Sequence, residues 1–493
     1  MKTSLFPRPL LLPVLLAALL SGCASTMAPN YERPAAPVAA EWPVPDTAAA
    51  GDGDAARREL SWQELFADGK LRQLIQLGFE NNRDLRVAAL NIERARAQYG
   101  IQRSVLLPDL GAGASGNSSR TPGSVSPSGS AVTNHVHSAT LGISAWELDL
   151  FGRLRSLRDQ ALQQYLASEA AQRAARLGLI TELAGTWLNM AADGEQLALA
   201  RETLHSRQQA RELQQRLREA GNTSELDLHQ AETELETARD AVLALETAVE
   251  TDRNALELLL GAPLPAHLQP EAPLEAMLAV QELPAGLPSD LLQRRPDILA
   301  AEHVLIGANA NIGAARAAFF PSISLTAGIG RASDSLSSLF DGGNRAWSFL
   351  PQVSLPIFTG GRLQSNLELA EAERDIAVAN YEKAIQSAFR EVADALAVRS
   401  RLAARLAAQQ RRVDASQQAC TLVLQRYDNG ISSYLEVLEA QRVLYSAQQS
   451  LVGIRLARQT NLVALYKALG GDWPRPGADA LARAEQTPAA QPH

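Results

Sequence analysis

The sequence predicts a mixed α+β chain, mostly α, made by duplicating a long helical hairpin together with a pair of strands. Three observations predict it. Residues 153–261 and 362–470 align without a gap at a constant offset of 209, pairing Arg153 with Arg362, Ser156 with Ser365, Glu182 with Glu391, Gly221 with Gly430, Leu235 with Leu444 and Gly261 with Gly470. Each copy reads as one very long helix up to a glycine-marked turn, 68 residues on from Arg153 in the first, which as α-helix reaches roughly 100 Å. Between the helical runs, four segments change to glycine, serine and alternating apolar residues.

The elements follow in order. Lys2 and Arg8 precede an apolar run from Leu10 to Leu20, broken only by Pro13, so residues 1–22 read as a secretory signal peptide. The ending Leu20-Ser21-Gly22-Cys23 matches the bacterial lipobox, and by that resemblance Cys23 is the lipidated mature N-terminus. The alternative is an ordinary leader with an incidental cysteine. Ala24 rather than an aspartate follows, which in such lipoproteins favours the outer membrane. Residues 23–60, rich in Ala, Pro and Asp, read as an extended tether without a core.

A first repeat is expected over 61–288 and a second over 289–474, with a flexible tail at 475–493. Helical spacing runs from Trp62 to about Leu106 and stops at Pro108. Its counterpart, at 290–319, lies at offset 213, with Asp84 matching Asp297, Gly100 matching Gly313 and Pro108 matching Pro321. Strands are expected at 109–118, 138–150, 321–331 and 347–358, joined in pairs by polar loops at 119–137 and 332–346. Leu141, Ile143 and Ala145 alternate with Gly142, Ser144 and Trp146. Four strands are too few to close a barrel, so several chains must contribute. His135 and His137 fall in the first loop, where an exposed, non-ligating pair is the reading.

The returning helices carry a seam at spacings of three and four: Leu228, Ala231, Leu235, Ala238, Val242, Leu245 and onward, and Val437, Ala440, Leu444, Ala447, Leu451 and Ile454. Short helices stacked end to end match the long arms, so all of them fit one helical wall, an α-barrel, with 262–288 as a collar at the breaks. No later run of 18 apolar residues is seen, so no membrane-spanning helix is expected.

The net charge of −8, more negative once Lys2 and Arg8 leave, disfavours nucleic acid as a partner. Cys23 and Cys420 are the only cysteines, so no internal disulfide is expected. No nucleophile–base pair, phosphate loop or metal-ligand cluster stands out; no enzyme activity, cofactor or metal is expected.

The chain resembles the outer-membrane factor family, TolC-like, in its lipoprotein branch typified by OprM. The likeness is carried by the lipobox, Ala28-Pro-Asn-Tyr-Glu-Arg-Pro34, Arg295-Pro-Asp-Ile298, Ala317-Ala-Phe-Phe-Pro-Ser322, Pro356-Ile-Phe-Thr-Gly-Gly-Arg362 and the tip Tyr427 to Gln441. It implies a homotrimer with a twelve-stranded membrane barrel and a twelve-helix periplasmic tunnel. The outer membrane would hold it by that barrel and a lipid anchor, and substrates such as drugs would arrive from an inner-membrane pump through a periplasmic adaptor that meets the tips around Gly221 and Gly430.

The resemblance also implies a gate. Leu435, Glu436 and Glu439 match positions that line the periplasmic constriction, and Glu436 and Glu439 share a helical face. Read from the residues alone, the same acids are a solvated face near a helix N-terminus. At the first tip Asp227 aligns with Glu436 but Gln230 replaces the second acid, and a latch of Asp227 with Arg426 or Tyr427 is the candidate pairing. The alternatives to an efflux conduit are a polypeptide-secretion conduit of the same fold and a periplasmic coiled-coil scaffold without a pore.

Overall fold

The computed structural model describes residues 26–43, 61–271, 273–280, 283 and 295–471. The leader, Cys23, most of the 281–294 segment and the 475–493 tail lie outside the described residues. The chain divides into two units: one gathers residues up to 35, 91–169 and 300–381, the other 36–90, 170–299 and 382 onward.

The first unit holds four strands: β1 (Leu110–Thr121), β2 (Val132–Leu148), β3 (Ser322–Ser333) and β4 (Arg345–Ser354). They form one antiparallel meander in sequence order, so β1 and β4 are its edges. Both hairpins reach further than the sequence signal. The first loop shrinks to 122–131, and His135 and His137 lie on β2 rather than in a loop. This extension is mostly polar, Ser119 to Thr121 and Thr133 to His137, and its two valines, Val132 and Val136, are separated on their face by Asn134, too weak an alternation to reveal it.

Register divides the two faces of the sheet. One face carries, row by row, Ala112–Leu141–Ile329–Trp347, then Leu110–Ile143–Ala327–Phe349, then Trp146–Leu325–Pro351, then Leu148–Ile323–Val353. These four rows span about 20 Å along the strands. The other face carries Gly142, Gly328 and Ser348 in one row and Glu147, Ser324 and Gln352 in another. A β-bulge between Ile143 and Trp146 keeps the faces apart. Ala145 sits there at φ 49°, its N–H donating to Thr326 Oγ1 at 3.0 Å. The expected alternation through Ala145 therefore breaks: the extra residue turns Trp146 onto the apolar face and Glu147 onto the polar one.

The N-terminal segment is more than a tether. Residues 28–35 lie on α6 (Pro296–Ala317), in this first unit from Ala300 onward. Asn309 Nδ2 donates to the Pro29 carbonyl at 2.7 Å, and Arg33 grips the buried Glu302 carboxylate with Nε and Nη2 at 2.7 and 2.8 Å. Tyr31 donates to the same carboxylate at 3.1 Å; burial and that negative neighbour push its phenol up. Gly313 lets the backbone pass, since a Cβ there would lie 2.6 Å from Ala28 N.

In the second unit the helix expected from Trp62 to Leu106 is three helices, the last reaching into the first unit: α1 (Trp62–Leu65), α2 (Gly69–Asn81) and α3 (Arg83–Ser104). Asp68 caps α2 through Lys70 N and accepts from Trp187 Nε1 at 3.2 Å. Asn82 accepts from Leu85 N at 2.8 Å and donates to the Leu259 carbonyl at 2.7 Å. Side chains that bond backbone groups outcompete helix continuation.

Two helices of 67 residues, α4 (Arg153–Glu219) and α7 (Arg362–Asp428), are followed by α5 (Glu225–Leu260) and α8 (Tyr434–Ala468). The seam residues Leu228, Ala231, Ala238, Val242, Val437, Ala447, Leu451 and Ile454 are buried. Among the described residues α6 is 22 residues long, shorter than the roughly 30 expected, so it and the 35-residue α8 fall short of one arm. Contrary to expectation, α6 is long and apolar enough to cross a membrane, but half of it is buried inside the chain.

Candidate functional site

The two hairpin tips lie in the second unit and are built by the same backbone device. At the first, Gly221 N bonds Arg218 O and Asn222 N bonds Leu217 O; at the second, Gly430 N bonds Tyr427 O and Ile431 N bonds Arg426 O. This is the Schellman closure, and it requires the left-handed glycine found at both, φ 78° and 72°. The next helix starts with a capping box in each copy, Ser224 with Asp227 and Ser433 with Glu436.

The boxes decide where two predicted acids go. Asp227 accepts from Ser224 Oγ at 2.7 Å and Thr223 Oγ1 at 3.1 Å, and these hydroxyls hold its carboxyl below the usual range. Glu436 is held low by hydrogen bonds from Ser432 and Ser433, with Arg426 adding a smaller pull. Glu439, one turn on, pairs with Arg442. Leu435 projects into solvent, 60 % exposed, as does its counterpart Leu226 at 65 %.

The pairing of Asp227 with Arg426 or Tyr427 takes a different form. Arg426 Nε donates to Ser432 Oγ of its own tip at 3.0 Å. Tyr427 is approached indirectly: Gln214 Nε2 donates to its hydroxyl at 2.9 Å, and the single Thr223 Oγ1 proton, which serves the Asp227 carboxylate at 3.1 Å, has Gln214 Oε1 at 3.0 Å as its alternative acceptor. The carboxylate and the phenol thus meet only by way of two side chains because both acids are already engaged by their caps. Below this relay Arg207, 5 % exposed, donates to Gln441 of α8 and lies 3.6 Å from Glu234 of α5. Ala231, Tyr434, Val437 and Leu438 form the apolar cluster beneath the tips, with Val423 and Tyr427 against it. Burial pushes the Tyr434 phenol up to about 12.

Sequence reading missed Gln214, Thr223, Arg207 and Tyr434. The offset of 209 aligns Thr223 with Ser432, and both hydroxyls serve the acid of their box, so the repeat held that signal. Nothing local marks Gln214, whose partner is 213 residues away. Among the described residues no group of three or more His, Cys, Asp or Glu is placed to hold a metal.

Two 67-residue helices that turn back at capped tips, and a four-strand meander with one apolar face, define a channel protein of the barrel-and-helix class. The chain belongs to the outer membrane efflux protein family, whose model matches residues 74–262 and 287–471. It is 48 % identical over 458 residues to the probable efflux pump outer membrane protein TtgC of Pseudomonas putida, covering 93 % of this chain and 94 % of the relative. A solved membrane protein from Pseudomonas aeruginosa superposes at TM-score 0.86 with 45 % identity, covering 91 % of this chain and 98 % of the other. The open state of the MtrE outer membrane channel of Neisseria gonorrhoeae superposes at 0.82 with 41 % identity and the same coverage. The protein is an efflux channel component of the outer membrane.

Proposed function

We propose that three copies of this chain form the passive exit duct of a tripartite efflux pump for small molecules, gated at the periplasmic hairpin tips. One observation carries the channel reading: a meander with an even number of strands and two open edges. With β1 and β4 running antiparallel, β4 of one copy meets β1 of the next in the same antiparallel sense, so copies close head to tail. Three copies give about twelve strands, within the range of such barrels; the number three rests on the family resemblance. In this reading residues 61–288 and 289–474 are the two repeats, Cys23 carries the lipid, and an inner-membrane pump delivers substrate through an adaptor that docks near Gly221 and Gly430. The apolar rows face lipid and the Gly/Ser-rich face lines the lumen.

The gate reading rests on the tip geometry. Glu436, Glu439 and Leu435 are solvent-facing on one tip, and symmetry would gather the acids into a ring that attracts cations. The relay from Tyr427 to Asp227 supplies the closing link between hairpins. Single-channel conductance in planar bilayers tests both. A small wild-type conductance that rises in the Glu436→Ala/Glu439→Ala double variant is the expected result. A pore with unchanged conductance removes the gate, and inserted protein without conductance removes the channel.

A further inference from the structure

The apolar face of the sheet changes character within one row at its loop end. Beyond Leu141, Ile329 and Trp347 the next row is Ala114, Ala139, Arg331 and Arg345, with the two arginines directly opposite on β3 and β4. Further out, the same face presents His137, then His135, then Arg120. No Asp or Glu occupies a strand position on this face, and at the same heights the other face carries Thr140, Gly330, Ser115 and Asn117, which are uncharged. The positive charge is therefore one-sided and borders the apolar rows.

Two like charges directly opposite on neighbouring strands weaken the pair they sit on. Among the described residues no carboxylate offsets this. Arg331 Nη1 donates to the carbonyl oxygens of Phe340 and Asp341, the latter at 2.6 Å, which aims the guanidinium but leaves its charge. Asp334, the nearest acid in sequence, accepts from Ser333. Among the described residues neither Arg331 nor Arg345 has a carboxylate partner. The same row carries only the small side chains of Ala114 and Ala139 on β1 and β2.

The strands join helices at one end and the loops 122–131 and 334–344 at the other. In the orientation of the proposed duct the loops face outward, so this row meets the headgroups of the outer leaflet. Guanidinium groups bind phosphate oxygens bidentately, and a lipid phosphate brings acyl chains that fit the rows below. We infer that this face binds the phosphates of the outer-leaflet glycolipid, with Arg331 and Arg345 as its first contacts. The bound phosphate offsets the repulsion between the arginines, and the acyl chains lie over Leu141, Ile329 and Trp347.

The inference rests on the outer-membrane channel reading, and native mass spectrometry of the full-length assembly, released from bilayers where its conductance has been recorded, separates the two. The probe is diphosphoryl lipid A, run beside its phosphate-free form and beside inorganic phosphate. Wild type should retain the diphosphoryl form about tenfold more than the phosphate-free form, and Arg331→Ala/Arg345→Ala should lose that preference. Arg331→Lys/Arg345→Lys should keep part of it, and Arg216→Ala, on a helix, all of it. Displacement of the lipid by millimolar inorganic phosphate would point to a free-anion site and overturn the lipid assignment. Equal retention of both lipid forms by wild type overturns the inference even if the alanine variant fails to assemble. Absence of conductance would instead strike the channel reading.

Discussion

Gln214 of the first hairpin, 1 % exposed, donates its amide to the Tyr427 hydroxyl of the second at 2.9 Å. It is a buried polar link between tips whose acids are each turned to their own caps, and in the proposed gate it would make closure depend on a neutral contact rather than an ion pair. Tyr427→Phe removes the acceptor and strands a buried amide donor, which costs about 1–3 kcal/mol. The variant should show higher conductance at neutral pH with little change in cation selectivity. A double-mutant cycle with Gln214→Ala checks it, because the two losses should not add.

Charge and capping separate at Glu436. Glutamine serves at the third position of a capping box, so Glu436→Gln keeps the turn and removes the charge. Ser433→Ala keeps the charge and costs about 1 kcal/mol of helix start. If the acid acts through its field, reversal-potential measurements in a salt gradient should show reduced cation selectivity for Glu436→Gln and unaltered selectivity for Ser433→Ala.

The tips should also resist mild acid. Asp227 and Glu436 titrate below their ordinary values of 3.8 and 4.5, held there by hydroxyl donors. A carboxyl depressed in the folded state contributes stability that is present above the unfolded value and lost as pH falls through the folded one. Conductance should therefore stay constant from pH 7 down to about 4.5 and rise only below that. A rise centred near pH 6 would mean that another group controls opening.

Gly313 controls the N-terminal strap. A methyl there would lie 2.6 Å from Ala28 N and 2.7 Å from Ser156 Oγ, backbone on one side and a buried hydroxyl on the other. Gly313→Ala should displace the segment at a cost of about 1–3 kcal/mol. Limited proteolysis within residues 26–43 should be faster in the variant, while conductance of protein that has inserted stays normal.

The bulge makes the last case. Ala145 holds φ 49°, a region open to glycine and closed to branched side chains. Ala145→Gly should stabilise the assembly by up to about 1 kcal/mol and Ala145→Val should weaken it. The temperature at which the folded, heat-modifiable band disappears on a gel orders the three proteins.

What the sequence disclosed and what it hid follow one rule. The duplicated tips were legible because Gly221 and Gly430 obey a local backbone requirement that repeats at one offset. The apolar core of each strand was legible from alternation, but the polar reach through His135 was not, since Val132 and Val136 are its only apolar residues and Asn134 parts them. The phase change at Ala145 looked like continued alternation because alanine fits either face. Breaks at Asp68 and Asn82 were hidden inside good helical spacing, for their cause is hydrogen bonding to Trp187 and Leu259, more than a hundred residues distant. The tip relay was invisible for the same reason: Gln214 has meaning only beside Tyr427.

The open flanks of β1 and β4 bear on how the protein comes into being. A newly exported copy carries two rows of unmet backbone donors and acceptors and a sheet face set with Trp347 and Phe349, 77 % and 59 % exposed. A solitary copy has no way to satisfy them within its own sheet. Assembly and insertion should thus be one concentration-dependent event, and a holding chaperone that shields strand edges should govern the yield of finished channels more than the intrinsic speed of helix formation does.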